Sequence, residues 1–348
     1  MLALNGVTPE RLAEELAGVG GTIGEARKIV AHVLRCAEPD LTRVRQLRRA
    51  VRLEALRIGG VPRLALVERR TSRVDPFVKY GLSTTDGLIV EAVRIPLERP
   101  GRFSICISSQ VGCAMGCSFC ATARMPVRRN LETWEIVDQV THVASDLPAG
   151  GRIHGAVFMG MGEPMKNLDA VLEAAAILSH PAGFGVGAPA ITISTAGVVP
   201  GIRRLTALGR PYRLGVSLTS AIPAKRRSLM PVEATWPLEE LIGAARDHAR
   251  ATRRLVMLTY VMLGGVNTGP EDAEALADLV RGEPLFRISL VEYNEWSGQG
   301  PGFRPPTAQE LAAFRAALAD LGVPVVRRYS GGKDVGAACG QLGAGLVS

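Results

Sequence analysis

The stretch Phe103-Ser-Ile-Cys-Ile-Ser-Ser-Gln-Val-Gly-Cys-Ala-Met-Gly-Cys-Ser-Phe-Cys120 decides how the fold is interpreted. Residues 103–108 are mostly apolar or β-branched, and they predict a buried β-strand. The glycine-containing segment that follows carries three cysteines, Cys113, Cys117 and Cys120. The chain therefore places a group of thiols in the loop directly after a strand.

From residue 103 onward, short apolar runs alternate regularly with amphipathic helix patterns. The predicted strands are 103–108, 155–159, 190–194, 214–218, 255–262 and 287–293, with a short last strand at 323–327. The predicted helices between them are 134–147, 168–178, 202–208, 238–251, 271–280 and 309–321. This alternation is typical of a parallel sheet built from βα units. Six such units predict an α/β fold, a partial (β/α)6 barrel.

Polar and glycine-rich segments follow the predicted strands. They are 113–120, 160–164, 195–197, 219–220 and Asn294. Barrels of βα units carry their chemistry on the loops at the C-terminal ends of the strands. We therefore expect the functional residues at this end of the barrel.

The first hundred residues have a different pattern. Residues 1–60 predict a small helical accessory domain, beginning with the capped helix after Thr8. Residues 61–102 predict a β-rich connector with strands at 64–67 and 87–93. The remaining domain, 103–348, predicts the barrel and a C-terminal loop.

Composition favours a folded protein of the cytosol. Hydrophobic residues make up 47% of the chain and the mean hydropathy is +0.16, which is enough for a large core. No apolar run reaches the roughly 20 residues of a membrane span, and residues 1–20 show no signal-peptide pattern. Six cysteines in 348 residues, three of them clustered, indicate a metal site rather than a secreted disulfide scaffold. We interpret Cys36, which has no motif around it, as a buried helical cysteine.

The chain is basic, with a net charge of +8 and a pI of about 9.5. In a third helix pattern, Val44, Leu47, Val51 and Ala55 share one face, and a second face carries the arginines Arg45, Arg49 and Arg52. Two interpretations stay open. The arginines form either a solvated helix face or a contact surface for a polyanion such as a nucleic acid.

Cys113, Cys117 and Cys120 form the spacing C-x3-C-x2-C. Three thiolates bind three irons of a [4Fe–4S] cubane and leave the fourth iron open. Structural zinc is the alternative, but it requires four ligands, and no further cysteine or histidine lies near enough in sequence to complete such a site. This spacing is the signature of the radical S-adenosylmethionine (SAM) superfamily. In that superfamily the open iron binds SAM and an electron cleaves it to a 5′-deoxyadenosyl radical.

Further motifs narrow the resemblance. They are CISSQVGC at 106–113, FMGMGEP at 158–164, ISTAG at 193–197, YVML at 260–263 and AACGQL at 337–342. Together they resemble the RlmN/Cfr family, class A radical SAM methyltransferases that methylate an adenine of 23S rRNA and, for RlmN, of tRNA. The resemblance covers about residues 85–343. Residues 1–60 resemble the small accessory domain of this family only in size and helicity, and we expect them to contact RNA.

The resemblance also implies catalytic roles for three residues. Cys339 would accept a methyl group from one SAM molecule, because an adenine carbon cannot attack a sulfonium methyl but a thiolate can. A second SAM supplies the radical that activates this methyl. Cys106 would form a transient disulfide with Cys339 to release the product, and Glu91 would accept the substrate proton. Without the resemblance, Cys106 is interpreted as a core residue and Glu91 as an edge-strand charge.

A SAM-binding pocket follows from the same resemblance. Glu163 suits the methionyl ammonium, and Gly162 lets backbone approach the ligand. The remaining predicted contacts to ribose and adenine are Ser194, Ser217, Leu218, Thr219 and Asn294. The chain departs from the family pattern at 121–127, Thr219, Thr268 and Gly336, positions that we expect on the substrate side.

We consider three functions for a chain with these motifs. The first is methylation of carbon 2 or carbon 8 of an adenine in 23S rRNA, with tRNA as a further substrate, and the second applies the same chemistry to a small heteroaromatic metabolite. The third, a non-catalytic iron–sulfur or zinc module, does not account for Cys106, Glu163 and Cys339. As partners we expect an RNA and an electron donor such as flavodoxin or ferredoxin, with no membrane, and a monomeric enzyme.

Overall fold

A ten-stranded sheet forms the centre of the molecule. The computed structural model describes residues 1–296, 302–327 and 330–346. The strands lie side by side in the order in which they occur along the chain. They are β1 (Ala65–Thr71), β2 (Val78–Ser83), β3 (Ile89–Pro96), β4 (Arg102–Cys106), β5 (Arg152–Phe158), β6 (Ile191–Thr195), β7 (Arg213–Ser217), β8 (Val256–Met262), β9 (Phe286–Glu292) and β10 (Val325–Arg327). Strands β1 to β4 pair antiparallel, and β4 to β10 pair parallel.

Helices connect the parallel strands, as expected for right-handed βα crossovers. They are α4 (Thr133–Ser145), α5 (Leu168–Ser179), α6 (Val199–Ala207), α7 (Pro223–Leu229), α8 (Leu238–Thr252), α9 (Pro270–Val280) and α10 (Ala308–Asp320). The predicted α/β fold is confirmed, with its six βα units and a last strand. Helix α7, which lies with α8 between β7 and β8, was not predicted. Within the described ranges, no helix is long and apolar enough to cross a membrane.

Three helices precede the sheet: α1 (Pro9–Glu15), α2 (Ile23–Arg35) and α3 (Arg49–Ile58). Thr22 and Glu25 form a capping box at the start of α2, which satisfies the free N–H groups there. The apolar face of α2 packs on α4, so the N-terminal helices share a core with the barrel.

Two expectations about this part are wrong. The third helix begins at Arg49, because Gln46 takes a left-handed φ of 55° and interrupts the pattern. Arg45 therefore precedes the helix, and Arg52 is half-buried and donates to the carbonyl of Val44, so the three arginines do not share one helix face. Cys36 is exposed at the end of α2 rather than buried in it.

Strand β2 was missed because it contains a buried charge. Lys79 lies in the middle of this strand at 3% exposure, and its Nζ is 2.9 Å from Oε1 of Glu91 on β3. A lysine within an apolar run normally indicates a solvent-facing residue. Strand β3 lies between β2 and β4, so the interpretation of Glu91 as an edge-strand charge is also wrong.

A buried carboxylate on α4 binds the segment that leads into β1. Asp138 has no exposed surface and accepts a hydrogen bond from the Leu64 N–H at 2.8 Å. It also lies 3.0 Å from the Arg63 guanidinium and 3.5 Å from Nε2 of His142. Asp138 therefore fixes the antiparallel part of the sheet to the first helix of the barrel.

Removal of this carboxylate is expected to destabilise the fold. We predict that Asp138→Ala lowers the free energy of unfolding by about 2 kcal/mol, since the buried Leu64 N–H loses its acceptor. Denaturant unfolding of the metal-free protein measures this. The control is Asp169→Ala, whose carboxylate is 80% exposed beside Arg204 and should change stability by less than about 0.5 kcal/mol. Equal losses in both variants would contradict the assignment.

Candidate active site

The cysteine loop lies at the C-terminal end of β4 and is held from two sides. Residues Gln110–Val111 pair with Arg129–Asn130 just before and after the loop. Gly112 takes a φ of 82° between them, and a Cβ there would lie 2.2 Å from the Pro126 carbonyl oxygen. On the other side, the Ser118 N–H donates to the carbonyl of Leu229 at the end of α7. The loop geometry is therefore fixed by backbone contacts.

Most predicted site residues line one cavity at the C-terminal ends of the strands. Its lining includes Cys113, Cys117, Cys120, Gly162, Glu163, Ser194, Ser217 and Cys339. These residues come from loops after β4 and β5, from the ends of β6 and β7, and from the C-terminal loop. The parallel sheet thus brings together residues that are more than 200 positions apart in sequence.

Glu163 is the buried carboxylate of this cavity. Its Oε1 accepts from the Met165 N–H at 3.0 Å, and its Oε2 accepts from the Ala196 N–H at 2.7 Å. Burial raises the pKa of Glu163, and these backbone donors oppose the shift. A cationic ligand group beside it would compensate for the burial, so the carboxylate suits an ammonium.

The three loop cysteines are half-buried, and partial removal from water raises the pKa of each thiol. For Cys113 the pKa rises to about 12. The pKa of Cys117 and of Cys120 rises for the same reason. Thiols in such surroundings stay protonated at neutral pH unless a metal displaces the protons.

The donor set fits a cluster better than a single ion. Three cysteines face the same cavity as Glu163. Among the described residues, no three His, Cys, Asp or Glu side chains lie close enough to hold one metal ion. A cubane cluster binds each thiolate through a different iron, and its ligands are therefore spread more widely. The residues present fit a [4Fe–4S] group with one iron left open.

The C-terminal loop places Cys339, which is exposed, at the mouth of this cavity. Two hydrogen bonds join the loop to the segment after Cys120. The Ala121 N–H donates to the Gly340 carbonyl at 2.9 Å, and Thr122 Oγ1 donates to the Leu342 carbonyl at 2.6 Å. The C-terminal loop is therefore attached to the segment that directly follows the cysteine loop.

Asn294 and Glu91 hold the same loop from the sheet. The amide of Asn294 donates to the Cys339 carbonyl at 3.1 Å, although Asn294 does not itself line the cavity. Glu91 Oε2 accepts from the Gly343 N–H at 2.8 Å, while its other oxygen binds Lys79. Glu91 lines neither this cavity nor the neighbouring one, so the structure does not bring it together with the thiols.

A second cavity adjoins the first inside the barrel and contains the other predicted thiol. Cys106 lies at the end of β4, and it lines this second cavity together with Cys339. Both cavities are also lined by Cys120, Met159 and Gly160. The thiols of Cys106 and Cys339 therefore open onto a common space beside the cysteine loop.

Two predicted contacts, Leu218 and Thr219, are completely buried and do not line the cavity. Their N–H groups donate to the carbonyl of Thr259 on the next strand. Thr219 takes a φ of 59°, and its carbonyl accepts from the Asn267 amide at 2.7 Å. The departure from the family pattern at Thr219 thus lies behind the cavity wall. Within the departure at 121–127, Thr122 lines both cavities and residues 123–127 line a shallow surface pocket beside Cys113.

Sequence reasoning missed Arg226, a fully buried arginine on α7. Its Nη1 donates to Glu233 at 2.7 Å and its Nη2 donates to the Ala196 carbonyl at 2.7 Å. It is also close enough to Cys117 for the two charges to interact. No sequence pattern predicts this position, since an arginine on a short helix is usually a solvated residue.

Comparisons with known proteins agree with this arrangement. The family model of the radical SAM superfamily matches residues 107–280. A probable RNA methyltransferase of Anaeromyxobacter sp. strain Fw109-5 is 50% identical, covering 98% of both chains. The dual-specificity RNA methyltransferase RlmN of Syntrophobacter fumaroxidans is 40% identical, covering 96% of both.

A solved structure extends the agreement to the whole fold. The crystal structure of a radical SAM methyltransferase from Sphaerobacter thermophilus superposes with a TM-score of 0.89 at 36% identity. The match covers 99% of this chain and 100% of that one. The chain is a radical SAM methyltransferase and belongs to the RlmN/Cfr family.

Proposed function

We propose that the protein methylates carbon 2 or carbon 8 of an adenine in 23S rRNA, with tRNA as a further substrate, through an S-methylcysteine intermediate. The observation that carries this proposal is the placement of Cys106 and Cys339 on one cavity that adjoins the cysteine loop. A metal-binding module without catalysis has no use for two further thiols at this position.

In this proposal Cys113, Cys117 and Cys120 would hold a [4Fe–4S] cluster, and the bound cluster would supply the electron for reductive cleavage of SAM. Glu163 binds the methionyl ammonium, since its buried carboxylate needs a cationic partner. Ser194 and Ser217, at neighbouring strand ends, hydrogen-bond the nucleoside. Gly162 lines the cavity, and the backbone of Leu218 and Thr219 supports the cavity wall from behind. Asn294 completes the set and also holds the Cys339 carbonyl.

Cys339 carries the methyl group in two stages. Its thiolate first attacks the methyl of one SAM, forming S-methylcysteine and releasing S-adenosylhomocysteine. The radical from a second SAM then removes a hydrogen atom from that methyl, releasing 5′-deoxyadenosine. The remaining methylene radical adds to the sp2 carbon of the base and joins it covalently to Cys339.

Release requires a proton acceptor and a second thiol. The adduct gives up the proton of the attacked carbon and one electron, which would return to the oxidised cluster. The thiolate of Cys106 then attacks the sulfur of Cys339 and breaks its bond to the methylene carbon, which takes up a proton and becomes the methyl group. This step frees the methylated base and leaves a Cys106–Cys339 disulfide, which a two-electron reductant reopens. Glu91 remains the proposed proton acceptor. Its contacts with Lys79 and Gly343 support a second role in holding the loop.

RNA is the proposed substrate class for three reasons. Relatives that span nearly the whole chain carry the name RNA methyltransferase. The net charge is +8, which favours a polyanion. Arg45 and Arg49 are exposed in the N-terminal segment, residues 1–60, which we propose as an accessory domain that contacts RNA. We further propose a cytoplasmic monomer that is reduced by flavodoxin or ferredoxin.

The cluster is tested by metal content. Anaerobically reconstituted protein should hold about four irons per chain. We predict that Cys113→Ala, Cys117→Ala and Cys120→Ala each lose the iron and the brown absorbance, because each removes one of only three thiolate ligands. Cys36→Ala, which changes an exposed cysteine outside the site, should retain both. Stoichiometric zinc without iron in the wild-type protein would contradict the proposal.

The methyl carrier is tested by mass spectrometry. Protein made with its cluster intact should carry one added methyl on Cys339. Cys339→Ala should abolish methyl transfer, and Cys106→Ala should accumulate a covalent enzyme–substrate adduct, since the thiol that displaces the product is absent. Turnover by Cys339→Ala would rule out the S-methylcysteine intermediate for this protein.

The substrate is tested by salt-dependent RNA binding. We predict that Arg45→Gln with Arg49→Gln weakens RNA binding and lowers the slope of log affinity against log salt by about one to two, as expected for two lost phosphate contacts. Cleavage of SAM should be unchanged. Arg250→Gln with Arg253→Gln, an equal loss of charge at the end of α8, is the control. If both pairs behave alike, or if unmethylated rRNA yields no methyladenine, a small heteroaromatic acceptor is favoured instead.

A further inference from the structure

A buried ion pair lies beside the loop that carries Cys339. Lys79 on β2 is 3% exposed, and its Nζ is 2.9 Å from Oε1 of Glu91 on β3. Glu91 pairs with Gly81, two residues from Lys79, so the two charged side chains are diagonal neighbours across the strands. Isolated buried charges are costly, and each charge of this pair therefore depends on the other. No step of the proposed reaction uses Lys79.

The register of the sheet places Lys79 on the same face as Cys106. Lys79 pairs with Val93, and Val93 pairs in turn with Cys106. Paired residues on neighbouring strands present their side chains to the same face of a sheet. Cys106 lines the inner cavity together with Cys339. Lys79 therefore lies on the face of the sheet that the C-terminal loop covers.

The ion pair contacts both ends of this loop, residues 336–343. At one end, Glu91 Oε2 accepts from the Gly343 N–H at 2.8 Å. At the other end, a Cβ on Gly336 would lie 3.3 Å from Lys79 Nζ, so the ammonium packs directly against this glycine. Gly336 and Gly343 take left-handed φ values of 67° and 87°. Glycine has more backbone freedom than other residues, so the contacts with the ion pair help to fix both ends of the loop.

The middle of the loop has other attachments, made by the segments after β4 and β9 at Cys339, Gly340 and Leu342. The ion pair adds an attachment to β2 and β3. Without Lys79, the carboxylate of Glu91 would be buried with no opposite charge beside it. It would then be more stable nearer to water, away from the Gly343 N–H. Lys79 therefore acts on the loop through Glu91.

We propose that Lys79 is a positioning residue for Cys339. Its ion pair with Glu91 holds both ends of the loop 336–343 on the sheet face that carries Cys106, and it keeps the Cys339 thiol in place for its attack on the methyl group of SAM. This inference rests on the proposed role of Cys339 as the methyl carrier. Lys79 itself lines neither cavity.

Hydrogen exchange tests the hold on the loop without cluster or SAM. In metal-free protein, Lys79→Met should speed exchange of residues 336–343 about ten-fold or more, because the Gly343 N–H loses its acceptor. Exchange in β5 should stay at the wild-type rate. The matched control is Lys225→Met, which removes a lysine 2.7 Å from the buried carboxylate of Asp272 and should leave the loop unchanged.

Two double variants separate this hold from the proposed proton transfer to Glu91, and they keep the test informative if Lys79→Met does not fold. Lys79→Met with Glu91→Gln and Lys79→Met with Glu91→Met both remove the two buried charges and the carboxylate. Only the glutamine keeps an oxygen that accepts from the Gly343 N–H. Loop exchange should be near the wild-type rate in the glutamine variant and about ten-fold faster in the methionine variant.

Methylation of Cys339 is the functional readout, because this step precedes the reaction with RNA and does not involve the substrate proton. In anaerobically reconstituted protein, mass spectrometry should show methylation about ten-fold slower or more in Lys79→Met and in the methionine double variant, and near wild type in the glutamine variant. The Kd for SAM, measured by equilibrium dialysis, and the iron content should be unchanged, since Lys79 lies outside the cavity.

Several outcomes would overturn the inference. They are wild-type loop exchange in Lys79→Met, equal loop exchange in the two double variants, and unchanged methylation of Cys339 in a variant whose loop exchanges faster. Faster exchange throughout the protein would assign Lys79 to general stability, and a raised Kd for SAM would assign it to SAM binding. If the loop responds as expected but wild-type Cys339 gains no methyl group, the hold on the loop is supported and the proposed function fails.

Discussion

Hydrogen bonds between the C-terminal loop and the barrel hold Cys339 beside the loop that carries Cys113, Cys117 and Cys120. Cys339 is separated from the cysteine loop by more than 200 residues, and its loop is connected to Ala121, Thr122 and Asn294 through backbone carbonyls. One of these contacts joins two backbone groups, and the other two are donated by the side chains of Thr122 and Asn294. The placement of Cys339 beside the cavity therefore depends on these two side chains and on the backbone of the segment that follows Cys120.

Charge burial is the second constraint on the site. Glu163 and Arg226 bind the two consecutive peptide groups on either side of the Cα of Ala196. The Ala196 N–H donates to the carboxylate, and the Ala196 carbonyl accepts from the guanidinium. Arg226 is paired in turn with Glu233. Isolated buried charges are costly, and each of these is compensated by hydrogen bonds or an opposite charge. The backbone at Ala196, between β6 and α6, is anchored by both side chains as a result. Ala196 lines the cavity, so these contacts also fix this part of the cavity wall.

The sequence alone predicted the parallel sheet, its six βα units and the segments that surround the cavity. These features follow from local periodicity and from the rule that polar loops follow parallel strands. What it did not predict depends on contacts between distant residues. Strand β2 was missed because the buried Lys79 is balanced by Glu91, which lies on the adjacent strand. Arg226 was missed because its burial and its hydrogen-bond partners appear only in the folded chain.

The thiols differ in exposure in a way that suits their proposed tasks: the three loop cysteines are half-buried, and Cys339 is exposed. Burial raises the pKa of Cys113, Cys117 and Cys120, so these thiols are poor nucleophiles until a metal replaces their protons. A thiol that must attack a sulfonium methyl requires the opposite surroundings, and Cys339 is exposed at the cavity mouth. Cys106 is buried at the end of β4 and lies on the inner cavity. In the proposed mechanism this burial would keep Cys106 from the first methyl transfer, and the cavity that both residues line would give it access to the sulfur of Cys339.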